Sequence, residues 1–269
     1  DRLFYQLQHS YMQKRYGGKY YWPNLDDPKS FNEKILWLKL NFRNKLGVIV
    51  ADKYAVREWI SKKIGIDYLI PLIDVFPSPL NVDFEKLPEK FVLKPNHGSG
   101  MVILCNEKSK LNKDEAIKKL LSWEKMNYYY YGREWQYNGI KPLVVCEEML
   151  ESNVPLVDYK FFCFNGEPTY VQVDFDRFTH HTRCFYDMEW KKQPFALLYP
   201  FAEKNLTKPS TFEEMKKIAS VLSKDFFFTR VDLYNLGDKI FFGEITLHPE
   251  GGNGPFSPNH YDTILGQKL

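Results

Sequence analysis

Thr229-Arg230-Val231-Asp232-Leu233 and Gly243-Glu244-Ile245-Thr246, with Asn235-Leu236-Gly237-Asp238 between them, decide how this chain is read. Side chains on a β-strand alternate between two faces, so Arg230 and Asp232 share one face of their strand, and Glu244 and Thr246 share one face of theirs. If the glycine-containing turn closes a hairpin, a guanidinium, two carboxylates and a hydroxyl meet on one surface. Hard oxygen anions beside a cation suit magnesium and a phosphoryl group. A charged solvent face on an ordinary hairpin fits the same residues.

A second half of the site lies upstream. Phe91-Val92-Leu93-Lys94-Pro95 reads as an apolar strand carrying one lysine, followed by Asn96-His97-Gly98-Ser99-Gly100 and the apolar run Met101 to Leu104. Small residues let backbone N–H groups approach an anion, and Lys94 can neutralise phosphate charge. No Gly-Lys-Ser/Thr and no helix pattern follow, so this is not a P-loop. It reads as a phosphate-covering β-hairpin, although a plain turn has the same composition.

Composition sets the bounds. The chain has 269 residues, 44% of them hydrophobic, enough for one large or two modest domains. Its 37 basic and 34 acidic residues leave a formal charge of +3, too mild to argue for nucleic acid. Aromatic content reaches 17%, and Tyr128 to Tyr131 run unbroken; packing is the default use of such rings, and stacking on sugars or bases is the other. Cys105, Cys146, Cys163 and Cys184 form no Cys-x-x-Cys pair and sit in β-like apolar runs. They read as buried free thiols of a reducing compartment, and a cytoplasmic location is expected. No signal peptide and no long apolar stretch is visible. The chain begins without Met, inside a helical pattern, so a longer polypeptide is expected, with residues or a domain removed ahead of it.

The local patterns point to an α+β fold with mostly antiparallel sheets. Leu3, Phe4, Leu7 and Tyr11 give residues 1–16 a helical period that Gly17-Gly18 ends. Ser30-Phe31-Asn32-Glu33 is a capping box opening a helix to about Phe42, and Asp52 can cap a helix over 53–63. Tyr68 to Val75 reads as a strand. Asn112-Lys113-Asp114-Glu115 starts a helix to about Trp123, and Ser210-Thr211-Phe212-Glu213 caps one to about Lys224. Asn165-Gly166 between the alternating runs 158–164 and 169–175 signals a hairpin.

Other polar groups stand where strands end or alternate. Asp158 and Lys160 share a face and can hold a ribose hydroxyl and a terminal phosphate; a surface ion pair is the plainer reading. Glu147 and Glu148 close an apolar strand and can present backbone and carboxylate to adenine, or be a solvated strand end. Arg177, His180, His181 and Arg183 form a basic cluster that can grip a carboxylate or phosphate, or be an exposed loop. His180-His181 lacks a third ligand at zinc spacing, and no Ser-His-Asp arrangement with an elbow motif is present.

Taken in order, Lys94 before His97-Gly98-Ser99-Gly100, Glu147-Glu148-Met149-Leu150, Asp158-Tyr159-Lys160-Phe161, Asp176-Arg177, Arg230-Val231-Asp232 and Gly243-Glu244-Ile245-Thr246 resemble the ATP-grasp superfamily. The likeness is strongest to its TupA-like branch, found in bacterial surface-polysaccharide gene clusters. It extends to Asp27-Pro28-Lys29-Ser30-Phe31-Asn32-Glu33-Lys34 and Ala51-Asp52-Lys53-Tyr54, and so covers nearly the whole chain.

The resemblance implies an ATP-grasp fold with the ATP cleft between two β-rich subdomains. It implies an ADP-forming carboxylate–amine ligase acting through an acyl phosphate. Lys94 would meet the α- and β-phosphates, and His97 with Gly98, Ser99 and Gly100 would form the phosphate lid. Glu147, Glu148, Met149 and Leu150 would form the adenine hinge. Asp158 would bind ribose, and Lys160 the terminal phosphate. Asp232 and Glu244 would hold magnesium, with Thr246 as a third ligand where many such ligases have Asn, so one or two ions are expected. Arg230, Lys160 and Arg177 would be catalytic, and Arg177, Arg183 and Arg230 would contact the acceptor.

The expected divisions are a helical and mixed region at 1–85, a lid subdomain at 86–150 and a C-terminal catalytic subdomain at 151–269. The expected partners are a carboxylated sugar or saccharide and a small amine or amino acid, with a fused or associated polysaccharide-biosynthesis domain and no nucleic acid. Three rivals remain at this stage: a kinase-like phosphotransferase on the same fold, a glycosyltransferase of the same pathway, and a non-catalytic polysaccharide-binding module.

Overall fold

The computed structural model describes residues 1–151, 156–176 and 179–269. They form two compact units, one made of 1–43 with 156–269 and the other of 44–155. The boundary expected at 85/86 falls inside the second unit. Residues 1–43 belong with the C-terminal part because helix α2 (Phe31–Asn41) packs on α8 (Tyr261–Gly266) and on the turn Pro249–Gly252. The fold is α+β with antiparallel sheets, as the sequence indicates.

The 44–155 unit holds α3 (Lys45–Ala51), α4 (Val56–Ile64), α5 (Lys113–Glu124), α6 (Tyr129–Gly132) and four strands. The strands β1 (Leu72–Phe76), β2 (Phe91–Pro95), β3 (Ile103–Cys105) and β4 (Val144–Glu147) pair antiparallel in the order β1-β4-β2-β3. Phe91, Leu93, Cys105 and Cys146 turn to a core shared with Ala116 and Leu120 of α5. Alternation therefore turns Val92, Lys94 and Glu147 to the other face. The helix expected over 53–63 begins only at Val56, because Asp52 Oδ1 first closes a turn by accepting from the Tyr54 and Ala55 amides. The strand expected from Tyr68 starts at Leu72, after a 3-10 turn at Ile66–Tyr68 and Pro71.

The other unit carries α1 (Arg2–Arg15), α2, β5 (Val157–Phe164), β6 (Glu167–Phe175), β7 (Thr182–Asp187), β8 (Lys192–Gln193), β9 (Ala196–Leu197), α7 (Phe212–Ser223), β10 (Phe228–Leu236), β11 (Lys239–Thr246), β12 (Phe256–Ser257) and α8. Six strands pair in the order β11-β10-β5-β6-β7-β8. The capping box forms as read: Ser30 Oγ accepts from the Glu33 amide at 3.2 Å, and Glu33 Oε2 accepts from the Ser30 amide at 3.0 Å. The cap expected at Ser210-Thr211 does not form, because Thr211 Oγ1 instead donates to Asn235 Oδ1 at 2.8 Å.

Strand alternation divides the sheet into two unlike faces. Phe161 packs on Phe212, and Cys163 Sγ approaches the Ala219 carbonyl, so this face lies under α7. On the other face Phe162, Phe164, Phe185 and Phe228 meet Phe31 of α2 and form an aromatic core with Phe195 and Phe256. Two residues further along the same strands that face becomes polar and mostly charged: Asp158 and Lys160 on β5, Arg230 and Asp232 on β10, Gln172 and Asp174 on β6, and Arg183 on β7. The aromatic half anchors the face, and the charged half is the candidate site.

Candidate active site

The hairpin register brings the acidic and basic groups together. Arg230 pairs with Thr246 and Asp232 with Glu244 across β10 and β11, while Lys160 of β5 stands opposite Asp232. The ladder slips between Asp232 and Leu233, a bulge that includes Gly243. A Cβ at Gly243 would sit 3.0 Å from the Asp232 carbonyl oxygen, so glycine keeps the two strands close beside the acidic pair.

Asp232 is the hub. Its Oδ1 accepts from Arg230 Nε at 2.7 Å, and its Oδ2 accepts from Arg230 Nη2 at 2.7 Å and Lys160 Nζ at 2.8 Å. Arg230 Nη2 also donates to Glu244 Oε1 at 2.9 Å, and Thr246 Oγ1 donates to the same oxygen at 3.0 Å. Lys160 Nζ makes a second bond, to Asp158 Oδ2. Burial pushes the Asp158 carboxyl up to about 6, against the pull of Lys160. Burial acts the same way on Asp232, but Arg230 and Lys160 outweigh it and hold that carboxyl below its usual range. Burial alone would lower Lys160; Asp232 and Asp158 reverse the sign and raise it. The cluster is therefore charged at neutral pH at Lys160, Arg230 and Asp232.

Asp232, Glu244 and Thr246 offer hard oxygens around one guanidinium. Magnesium takes one or two carboxylates and completes its shell with phosphate oxygens and water, and this donor set fits that habit. No cluster of three or more His, Cys, Asp or Glu able to hold a metal occurs among the described residues. The fit therefore rests on phosphate oxygens joining the two carboxylates.

Further along the face, Arg183 is engaged by acidic side chains of the fold. It lies on β7 and is almost fully buried. Its Nε donates to Asp174 Oδ1 at 2.6 Å and its Nη1 to Glu250 Oε1 at 2.8 Å and the Leu197 carbonyl at 3.0 Å. His181 Nε2 lies 3.2 Å from Asp174 Oδ1, and its ring stacks on Tyr199. Arg183 thus holds two carboxylates of the fold, which takes up the guanidinium face a substrate carboxylate would use. Arg177 lies outside the described residues.

The Lys94 half is ordered by buried ion pairs. Lys94 Nζ is 2.5 Å from Glu147 Oε2, and Arg57 Nη1 donates to Glu147 Oε1 at 2.9 Å. The Glu147 carboxylate is occupied by these cations, so only its backbone could serve an adenine hinge. The amide of Glu148 donates to the Pro71 carbonyl at 3.0 Å, and Met149 and Leu150 are half-buried just beyond β4. His97 is buried, with Nε2 3.1 Å from the Trp123 carbonyl, so its side chain anchors the loop. Lys53 Nζ donates to the Gly98 carbonyl, while Ser99 and Gly100 stay exposed. Gly98 and Gly100 both take positive φ, 87° and 74°, where side chains are disfavoured.

Several contributors escaped the motif reading. Four successive carbonyls of the glycine-rich loop are each held by a side chain from the N-terminal helices. Lys39 Nζ donates to Gly251 at 2.7 Å, His9 Nδ1 lies 3.3 Å from Gly252, Gln13 Nε2 donates to Asn253 at 3.2 Å, and Asn32 Nδ2 donates to Gly254 at 2.9 Å. The loop is thereby fixed with Glu250 against Arg183. The glycine-rich stretch from Pro249 to Pro255 was a visible signal for the loop, but the pinning side chains carry no local pattern. Gln172, fully buried beside Lys160 in the register, was missed as well, though its place in an alternating strand could have marked it.

Three of the solved structures that match the chain are ligases at low identity. D-alanine–D-alanine ligase from Helicobacter pylori shares 15% identity, with 90% of this chain and 69% of that one covered, at a TM-score of 0.46. D-alanine–D-alanine ligase from Bacillus anthracis complexed with ATP shares 16%, over 82% of this chain and 63% of that one, at 0.45. L-amino acid ligase from Bacillus licheniformis shares 15%, over 86% and 50%, at 0.47. No curated protein matches the sequence. The model of the TupA-like ATP-grasp family matches residues 33–269, a span that takes in Lys94, the acidic ladder and nearly all of the fold. By that match the chain belongs to the TupA-like ATP-grasp family.

Proposed function

We propose that this protein is an ATP-dependent, ADP-forming carboxylate–amine ligase that makes an amide on a uronic acid or related carboxylated saccharide for a bacterial surface polysaccharide. The observation that carries the reading is the Lys160–Asp232–Arg230–Glu244 ladder, two cations and two carboxylates on adjoining strands of one sheet face. Phosphoryl transfer needs positioning and charge neutralisation more than a side-chain nucleophile, and this ladder offers both.

In this reading an acceptor carboxylate oxygen forms a bond to the γ-phosphorus of ATP, and the bond to the β,γ-bridging oxygen breaks to release ADP. An uncharged amine then adds to the acyl carbon, and the carbon–oxygen bond to phosphate breaks, releasing phosphate and one proton. Lys94 attends the α- and β-phosphates, with Gly98 to Gly100 covering them. Lys160 meets the transferred group, and Arg230 steadies charge on the acyl phosphate and the tetrahedral intermediate. Asp158 serves the ribose. Asp232 and Glu244, with Thr246, would hold magnesium, which when bound neutralises the β- and γ-phosphates.

The test is to supply ATP, Mg²⁺, a panel of uronic acids and a panel of amines, and to measure ADP release together with product mass. Amide formation with ADP release that requires both partners supports the reading. A phosphorylated acceptor formed without any amine would make the protein a phosphotransferase. Absence of ATP binding by calorimetry would rule out both.

A further inference from the structure

Helix α1 is inside out. Its buried face is Tyr5, His9, Ser10 and Gln13, three of them polar, because that face holds the glycine-rich loop and the Tyr21 carbonyl. Its opposite face is apolar and open: Leu3, Leu7 and Tyr11 recur every four residues and are 62%, 54% and 57% exposed. Folding a soluble helix normally places these the other way round. The stripe ends on Lys14 and Arg15 in the last turn, and Tyr16, Tyr20 and Trp22 follow it, all exposed. Residues 1–22 contain four basic side chains, Arg2, Lys14, Arg15 and Lys19, against one acidic, Asp1. Asp1 and Arg2 are already engaged by Arg43 and Asp26, whereas Lys14 and Arg15 have no carboxylate partner among the described residues.

We propose that α1 lays its Leu3–Leu7–Tyr11 face on an anionic membrane surface, with Lys14 and Arg15 against the lipid headgroups. An apolar stripe, flanking cations, and tyrosine and tryptophan at its edge are what interfacial helices use. Three side chains are too narrow a strip for a stable dimer, which needs about 800 Å² from each partner. Adsorption to a bilayer has no such threshold and gains from each lysine or arginine near an anionic surface.

The experiment uses the unmodified chain with vesicles of phosphatidylglycerol and phosphatidylcholine in equal parts, and of phosphatidylcholine alone, read by co-sedimentation. We expect binding to the mixed vesicles to be about tenfold or more tighter than to the neutral ones, and to weaken in high salt. Leu7→Glu should lower binding about tenfold, and Lys14→Glu with Arg15→Glu should remove the preference for anionic lipid. Thermal melts check folding, and Leu7→Ser serves if Leu7→Glu melts early. No binding to anionic vesicles, binding unchanged in all the variants, or a concentration-dependent dimer dissolved by Leu7→Glu would overturn the proposal. None of these readouts depends on the enzymatic reaction.

Discussion

Lys160 and Asp232 face each other across β5 and β10, with 2.8 Å between Nζ and Oδ2, and both are almost fully buried. Asp232 is thus the counter-ion of two buried cations as well as a candidate metal ligand. Asp232→Asn leaves Lys160 and Arg230 sharing only Asp158 and Glu244. We expect a loss of about 3–5 kcal/mol in stability, because breaking one partner of a buried pair strands the other. A urea titration reads it, together with loss of ATP turnover.

Glu244→Gln separates the two roles. The Glu244 side chain is 37% exposed and meets one guanidinium nitrogen and one hydroxyl, so its removal should cost no more than about 1 kcal/mol of stability. Turnover should nevertheless fall about a hundredfold or more if this carboxylate holds magnesium. A variant that keeps wild-type turnover across a magnesium titration would end that assignment.

Lys94→Met removes a charge and keeps most of the stem. Glu147 retains Arg57 at 2.9 Å, so the 44–155 unit should fold, with a loss below about 2 kcal/mol. ATP turnover should drop about a hundredfold, with weaker nucleotide binding by calorimetry. Unaltered binding and turnover would make Lys94 a structural partner of Glu147 alone.

His9 gives a pH signature. Burial lowers its pKa from 6.5 to about 4, so the folded chain keeps the ring neutral while the unfolded chain binds a proton. The stabilisation is complete above pH 6.5 and is lost as pH falls toward 4, in all about 3 kcal/mol. His9→Gln should remove that component and flatten stability across the interval. Identical slopes for the two proteins between those pH values would show that His9 does not carry it.

Arg183→Ala separates a structural role on β7 from contact with the acceptor. It takes the guanidinium away from the buried Asp174 and the partly exposed Glu250, and we expect a loss of about 3–5 kcal/mol by chemical denaturation. A variant of normal stability whose only defect is a raised KM for the acceptor would return Arg183 to the substrate.

The sequence was most informative where a pattern is local. Alternation put Arg230 with Asp232 and Glu244 with Thr246, and Ser30 with Glu33 announced a helix start, but the bulge at Gly243 that brings the two pairs opposite each other left no such mark. It was least informative where partners lie far apart. Arg57 reaches Glu147 over 90 positions and His9 reaches Gly252 over 243, and no spacing rule encodes such pairs. Arg183 shows the same limit: nothing local marks its bond to Glu250, 67 positions away. The period of α1 was read correctly but not its orientation, since periodicity says which residues share a face and not which way that face turns.

The four-carbonyl clamp has a consequence for the order in which the molecule can be made. The 44–155 unit is one uninterrupted stretch, so a ribosome delivers all of it before most of its companion exists. The companion must keep His9, Gln13, Asn32 and Lys39 waiting until Gly251 to Gly254 emerge more than two hundred residues later. Contacts of such separation are slow to close, and domains completed early in translation fold early. The nascent chain should therefore hold a finished 44–155 unit while its N-terminal helices are still unmoored, and the clamp on Gly251 to Gly254 should be the last part to close.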